Sequence, residues 1–166
     1  MLRFLFVVVV SLVCASPALA QQPPVGVEAQ GIYEAEDPSC ASTSTDSLLC
    51  ATAAQCKTVY AWKGWKHPLF GYFYWKYYQQ IRWCWRNGRL TYAGRMRWAE
   101  CCLTGSGWNF EGHIGSQLSG GASHRYFRAW TQGRFKQCYA HCFTTKTPWV
   151  RITGYAGGSW SWSAGV

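Results

Sequence analysis

Between Gln21 and Cys56 the chain has no lysine or arginine, and beyond Cys56 it has only two acids, Glu100 and Glu111. The other five acids, Glu28, Glu34, Glu36, Asp37 and Asp46, precede Cys56, whereas fifteen lysines and arginines follow it. An acidic segment thus stands beside a basic body, and such a body attracts polyanions at a distance. Tryptophan is missing from the first part as well: all eleven lie at or beyond Trp62.

Other absences narrow the chemistry. No Gly-rich phosphate loop, HExxH, GxSxG or Cys-His protease signature occurs, so the best-marked enzyme classes have no starting point. Past the first 20 residues nothing approaches the roughly 20 consecutive apolar residues that span a bilayer. The aromatic run from Leu69 to Trp85 is broken by Gly71, Lys76, Gln79, Gln80 and Arg82.

What is present begins with an export signal over residues 1–20. Arg3 is followed by a mostly apolar run from Phe4 to Cys14, then by Ala18-Leu19-Ala20, the small-residue pattern of a signal-peptidase site. Val13 is too large for a lipidation site at Cys14. The mature protein is expected to start near Gln21 and to be soluble, secreted and extracellular.

Of nine cysteines, one lies in the leader, which leaves Cys40, Cys50, Cys56, Cys84, Cys101, Cys102, Cys138 and Cys142. An even count in an exported chain reads as four disulfides of unknown pairing. Cys138, His141 and Cys142, with His113 and His124, raise a zinc alternative, but paired short-spaced ligands are missing. No metal and no cofactor are expected.

From Gln21 to about Pro38 the composition is poor in large apolar residues and reads as an acidic, flexible leader. The remainder, residues 39–166, reads as a single disulfide-rich β domain. A short helix is expected near Asp46 to Gln55, where a Ser/Thr cap precedes Asp46. Beyond Lys57 short alternating runs and frequent glycines indicate an all-β fold, a disulfide-stapled antiparallel β-sandwich or barrel. "RYFRAWTQGRFKQCYAHC" suggests two strands around Thr131-Gln132-Gly133, and "WVRITGYAGGSWSWS" two more around Gly157-Gly158. Trp160 and Trp162 then face the core and Ser159, Ser161 and Ser163 face solvent.

"RWCWRNGRLTYAGRMRW" holds the strongest local signal, Asn87-Gly88 between alternating runs, which predicts a type I′ hairpin. Strict alternation pairs Arg86 with Arg89, Trp85 with Leu90, Cys84 with Thr91 and Trp83 with Tyr92. It puts Leu90, Tyr92, Met96 and Trp98 on a core face, and Arg82, Arg86, Arg89, Arg95 and Arg97 with Cys84 on the opposite, basic face. The N-terminal cysteines are the favoured partners of Cys84, which would bring acids over the arginines; Cys101 is the competitor.

A second candidate surface is "WKGWKHPLFGYFYWKYY", in which Trp62, Trp65, Tyr72, Tyr74 and Tyr78 are interleaved with Lys63, Lys66 and Lys76. Flat rings beside cations suit sugars, bases or a membrane interface. The expected function is therefore non-catalytic binding of an anionic or carbohydrate polymer, such as cell wall, capsule or an acidic lipid surface, with nucleic acid ranked behind them. An alternative is a small ribonuclease-like hydrolase in which Glu111 and His113 share a strand face and do acid and base work. A membrane-active toxin or bacteriocin is the third reading.

Overall fold

The computed structural model describes residues 26–35 and 54–166. The expected signal peptide, Cys40, Cys50 and the expected helix as far as Ala53 lie outside the described residues. Gln55, placed at the end of that helix, opens a strand instead.

Alternating aromatic and polar residues form nine strands, every pair antiparallel, and no helix occurs among the described residues. One sheet runs in the order β1 (Val27–Ala35), β2 (Gln55–Lys66), β3 (Phe73–Arg86), β4 (Arg89–Cys101). The other runs β5 (Trp108–Gly120), β6 (Tyr126–Cys138), β8 (Trp149–Tyr155), β9 (Trp160–Gly165), with β7 (Cys142–Lys146) paired to the end of β6. Their facing sides share one core: Val59 and Ala61 from β2, Trp75, Tyr77, Ile81 and Trp83 from β3, Phe127, Ala129 and Phe135 from β6, and Val150 and Ile152 from β8. Burying a large apolar side chain contributes roughly 1.5–3 kcal/mol, so these residues hold the two sheets together. Asn87 and Gly88 both have positive φ, 50° and 70°, as the type I′ hairpin requires.

Four expectations change. Val27–Ala35, read as flexible leader, is β1, paired along its whole length with β2. It needs few large residues because its neighbour covers it: a Cβ on Gly31 would stand 2.7 Å from the indole of Trp62. Thr131-Gln132-Gly133, read as a turn, lies inside the continuous β6. Gly133 is there because the ring of Tyr77 comes within 2.6 Å of where its Cβ would be, a close approach between sheets and not a bend.

The third change is a β-bulge in the hairpin. Arg86 does face Arg89 and Trp85 faces Leu90, but Cys84 faces Tyr92 and Trp83 faces Ala93. Trp83 is fully buried and leaves room opposite for a methyl group, not for the ring of Tyr92. Thr91 is the extra residue, and an odd residue inverts every side chain beyond it. Tyr92 and Met96, expected in the core, are 53% and 60% exposed.

The fourth concerns the cysteines. Cys84 is joined to Cys56, its cross-strand neighbour on β2, so its partner is one of the three favoured cysteines, but on an adjacent strand and not in an overlying segment. Cys101 is joined to Cys102, and Cys138 to Cys142. The β1 acids engage lysines: Glu28 pairs with Lys63 at 2.8 Å and Glu34 with Lys57 at 2.7 Å.

Candidate functional site

The bulge in β4 divides the five arginines. Arg82 and Arg86 stay on the outer face with Cys84, and Arg89 lies at the hairpin, donating Nη1–H to Ser123 O at 2.8 Å. Arg95 and Arg97 turn inward, opposite Ile81 and Gln79, two residues of the buried interior. Arg95 donates to Trp130 O at 3.4 Å; Arg97 donates to Gly115 O at 3.3 Å and to Thr131 Oγ1 at 3.4 Å. The single basic face expected from alternation does not form.

Two bulges in β5 separate the proposed acid and base. They fall between Phe110 and Gly112 and between His113 and Gly115, and Gly112, with φ of 119°, takes a conformation that a side chain would oppose. His113 therefore faces inward beside Phe110, ring centroids 5.3 Å apart, with Nδ1 2.8 Å from Tyr77 OH. Glu111 turns away and pairs with Lys136 at 3.4 Å. The carboxylate and imidazole do not share a face.

The lysine-aromatic stretch also divides. Trp62, Lys76 and Tyr78 are together on the outer face of the first sheet, where Lys76 Nζ lies 5.4 Å from the Trp62 ring and 5.9 Å from that of Tyr78. Trp98 stacks on Tyr78 at 4.8 Å and Tyr33 on Tyr60 at 4.6 Å. Glu100 accepts from Tyr78 OH at 2.8 Å and pairs with Lys76 at 3.7 Å, so the charge of Lys76 is compensated. Burial first, then the bond to Glu100, raises the Tyr78 phenol well above its usual range. Lys63 points the other way, nearly buried against Glu28 and Gln30. Trp65 is half-buried facing the core with Lys146 Nζ 4.3 Å from its ring, and Lys66 ends the strand. Tyr72 is exposed in the β2–β3 connection, while Tyr74 is buried and its phenol pushed up to about 12, chiefly by desolvation.

A pair of arginines without an ion pair among the described residues lies on a surface that sequence reasoning missed, the outer face of the second sheet. Tyr126, Arg128 and Trp130 alternate along β6 and stand beside Arg151 and Thr153 on β8. Arg128 donates Nε–H to Thr153 Oγ1 at 3.2 Å, and Arg151 donates Nε–H to Ser163 Oγ at 3.1 Å. Both side chains lean across the strands toward β9, each anchored through one nitrogen. Among the described residues neither guanidinium has an ion pair.

Two hollows flank these arginines. One, of about 290 Å³, is lined by Gln117, Ser119, Arg128, Trp130 and Arg151. The other, of about 180 Å³, adds Thr153, Ser161 and Ser163. Together they make a shallow groove across β5, β6, β8 and β9, about 14 Å from first strand to last at the usual strand spacing. Among the described residues no carboxylate lines it. The signal is present in "RYFRAW", whose alternation puts a tyrosine, an arginine and a tryptophan on one face, but Arg151 and Thr153 join them only through the pairing of β6 with β8.

No protein-family model, no curated protein and no solved structure matches this chain.

Proposed function

We propose that this protein is a secreted, disulfide-stapled β-sandwich that binds an acidic polymer without catalysis, taking it across the outer face of the second sheet. The observation that carries the reading is the pair Arg128 and Arg151 beside the half-buried ring of Trp130, with no carboxylate among the described residues that line the groove. Anchoring each Nε leaves the terminal guanidinium nitrogens for a ligand anion, and pre-ordered side chains lose less freedom on binding. An indole beside two cations suits a sugar ring that carries a carboxylate or sulfate. The serines, threonine and glutamine around them suit its hydroxyls. The disulfides are compatible with export, and among the described residues no helix is long and apolar enough to cross a membrane.

A specific observation favours a second reading, contact with an acidic lipid surface: Leu69 and Phe70, at the β2–β3 tip, are 84% and 73% exposed, and exposed apolar patches mark interaction sites. One experiment separates the two. Oxidised protein is sedimented with purified cell wall, an acidic polysaccharide, RNA and anionic liposomes at low and high salt, as wild type, as Arg128→Gln/Arg151→Gln and as Leu69→Ser/Phe70→Ser. Loss of polysaccharide binding in the arginine variant alone supports the groove. Liposome binding lost in the tip variant alone supports the lipid reading, and absence of all binding at low salt overturns both.

A further inference from the structure

The arginines turned inward by the β4 bulge carry a separate inference. Charged side chains are rarely placed between packed sheets unless an opposite charge meets them. Arg95 and Arg97 are half-buried there, and their hydrogen bonds, all of 3.3–3.4 Å, go to neutral oxygens of Trp130, Gly115 and Thr131. Among the described residues no carboxylate pairs with either.

A third nitrogen base joins them. His113 lies across from β4 on β5, and a chain of contacts ties it to Arg97: His113 Nδ1 to Tyr77 OH at 2.8 Å, Tyr77 OH to Thr131 Oγ1 at 2.8 Å, and Thr131 Oγ1 to Arg97 Nη1 at 3.4 Å. The groups facing His113 are Tyr77 from β3, Arg95 and Arg97 from β4 and Phe110 from β5, with Thr131 of β6 bonded to Tyr77 behind them. Glu111 faces away. Since β4 and β5 are each the outer strand of their sheet and His113 is exposed, the cluster opens at the side of the molecule. Burial, then Arg97 and Arg95, lowers the His113 pKa, and burial, then Arg97, lowers that of Arg95. Like charges have been gathered where each raises the cost of the next.

We propose that Arg95, Arg97 and His113 form a binding site for a tetrahedral oxyanion, a sulfate or phosphate group, lying between the edge strands β4 and β5 and distinct from the outer groove. Guanidinium and imidazolium donors approach from two strands, while the Tyr77 and Thr131 hydroxyls hold the imidazole and the Arg97 guanidinium in place. The anion supplies a countercharge that no described carboxylate provides. It raises the His113 pKa, so affinity strengthens as pH falls through that value and sulfate binding takes up a proton.

The test is an NMR titration of the protein with inorganic sulfate, read at the His113 imidazole so that binding at Arg128 and Arg151 does not register. The expected result is a saturable shift, a higher His113 pKa with sulfate, and affinity weakened about tenfold or more in Arg97→Gln. Arg97→Lys should retain part of it, and Arg95→Gln gives the same reading if Arg97→Gln does not fold. Glucose 6-sulfate in place of sulfate reports the source: tighter binding means that the group is carried on a sugar, and equal binding means a free ion, either supporting the site. An unmoved His113 resonance, or one that moves as far and saturates as readily in Arg95→Gln and Arg97→Gln as in the wild type, overturns it.

Discussion

The indole of Trp130 lies over Gly115, where a Cβ would stand 2.7 Å from the ring. The glycine is therefore what lets the ring lie against the sheet beside the arginines. Gly115 has no positive φ, so alanine is compatible with its backbone. Gly115→Ala is expected to tilt the indole and weaken acidic-polysaccharide binding, while the urea midpoint moves little. Calorimetric titration against the polysaccharide checks this; unchanged affinity would separate Trp130 from the ligand.

Salt should act on the two arginines as it acts on any ion exchange between a polyelectrolyte and a protein. Each guanidinium that displaces a condensed counterion adds to the slope of log affinity against log salt. Arg128→Gln and Arg151→Gln are each expected to lower that slope by up to about one. Affinity measured over a salt series gives the slopes directly. A slope unchanged in both variants would place the anionic contacts elsewhere.

The disulfide between Cys56 and Cys84 closes 28 residues of chain across neighbouring strands. Cross-linking limits the unfolded chain more than the folded one, and losing a native bridge from a small domain typically costs about 2–5 kcal/mol. Cys56→Ala/Cys84→Ala should lower stability to urea by an amount in that range and leave the β signature of the far-ultraviolet spectrum intact at low temperature. Equal midpoints with and without the bridge would refute the assignment.

The all-β character, the Asn-Gly hairpin and the β8–β9 pair were readable because alternation and turn residues are local signals. What escaped were the faces of β4 and β5. One unpaired residue, Thr91, and two irregularities around Gly112 and Ile114 each invert the side chains that follow. Pure alternation counts residues and cannot see where a ladder skips one. Alternation therefore puts Arg95 and Arg97 on an outward basic face and His113 on one face with Glu111, whereas the ladder turns all three inward. The Gly133 error was of another kind: a glycine that admits the Tyr77 ring has the same letter as one that makes a turn. Gly133→Ala is accordingly expected to cost about 1–3 kcal/mol by overpacking, measured by urea unfolding.

Glu34 ties the two sheets at their margin and sets a dependence on acid. Its carboxylate pairs with Lys57 on the neighbouring strand and accepts from Trp160 Nε1 of β9 at 2.9 Å. The bond to Lys57, then that to Trp160, holds its pKa below the ordinary glutamate value. A carboxyl group whose folded pKa is depressed contributes stability that is fully present above its unfolded pKa and is lost as pH falls through the folded one. The window therefore runs from the ordinary glutamate range downward into acid. Glu34 is exposed enough for solvent to screen it, so the contribution at neutral pH is less than about 1 kcal/mol. Glu34→Gln should lower the urea midpoint slightly at neutral pH and make the loss of stability below the glutamate range shallower than in the wild type. Parallel acid-side stability profiles of the two proteins would show that Glu34 does not couple the sheets to pH.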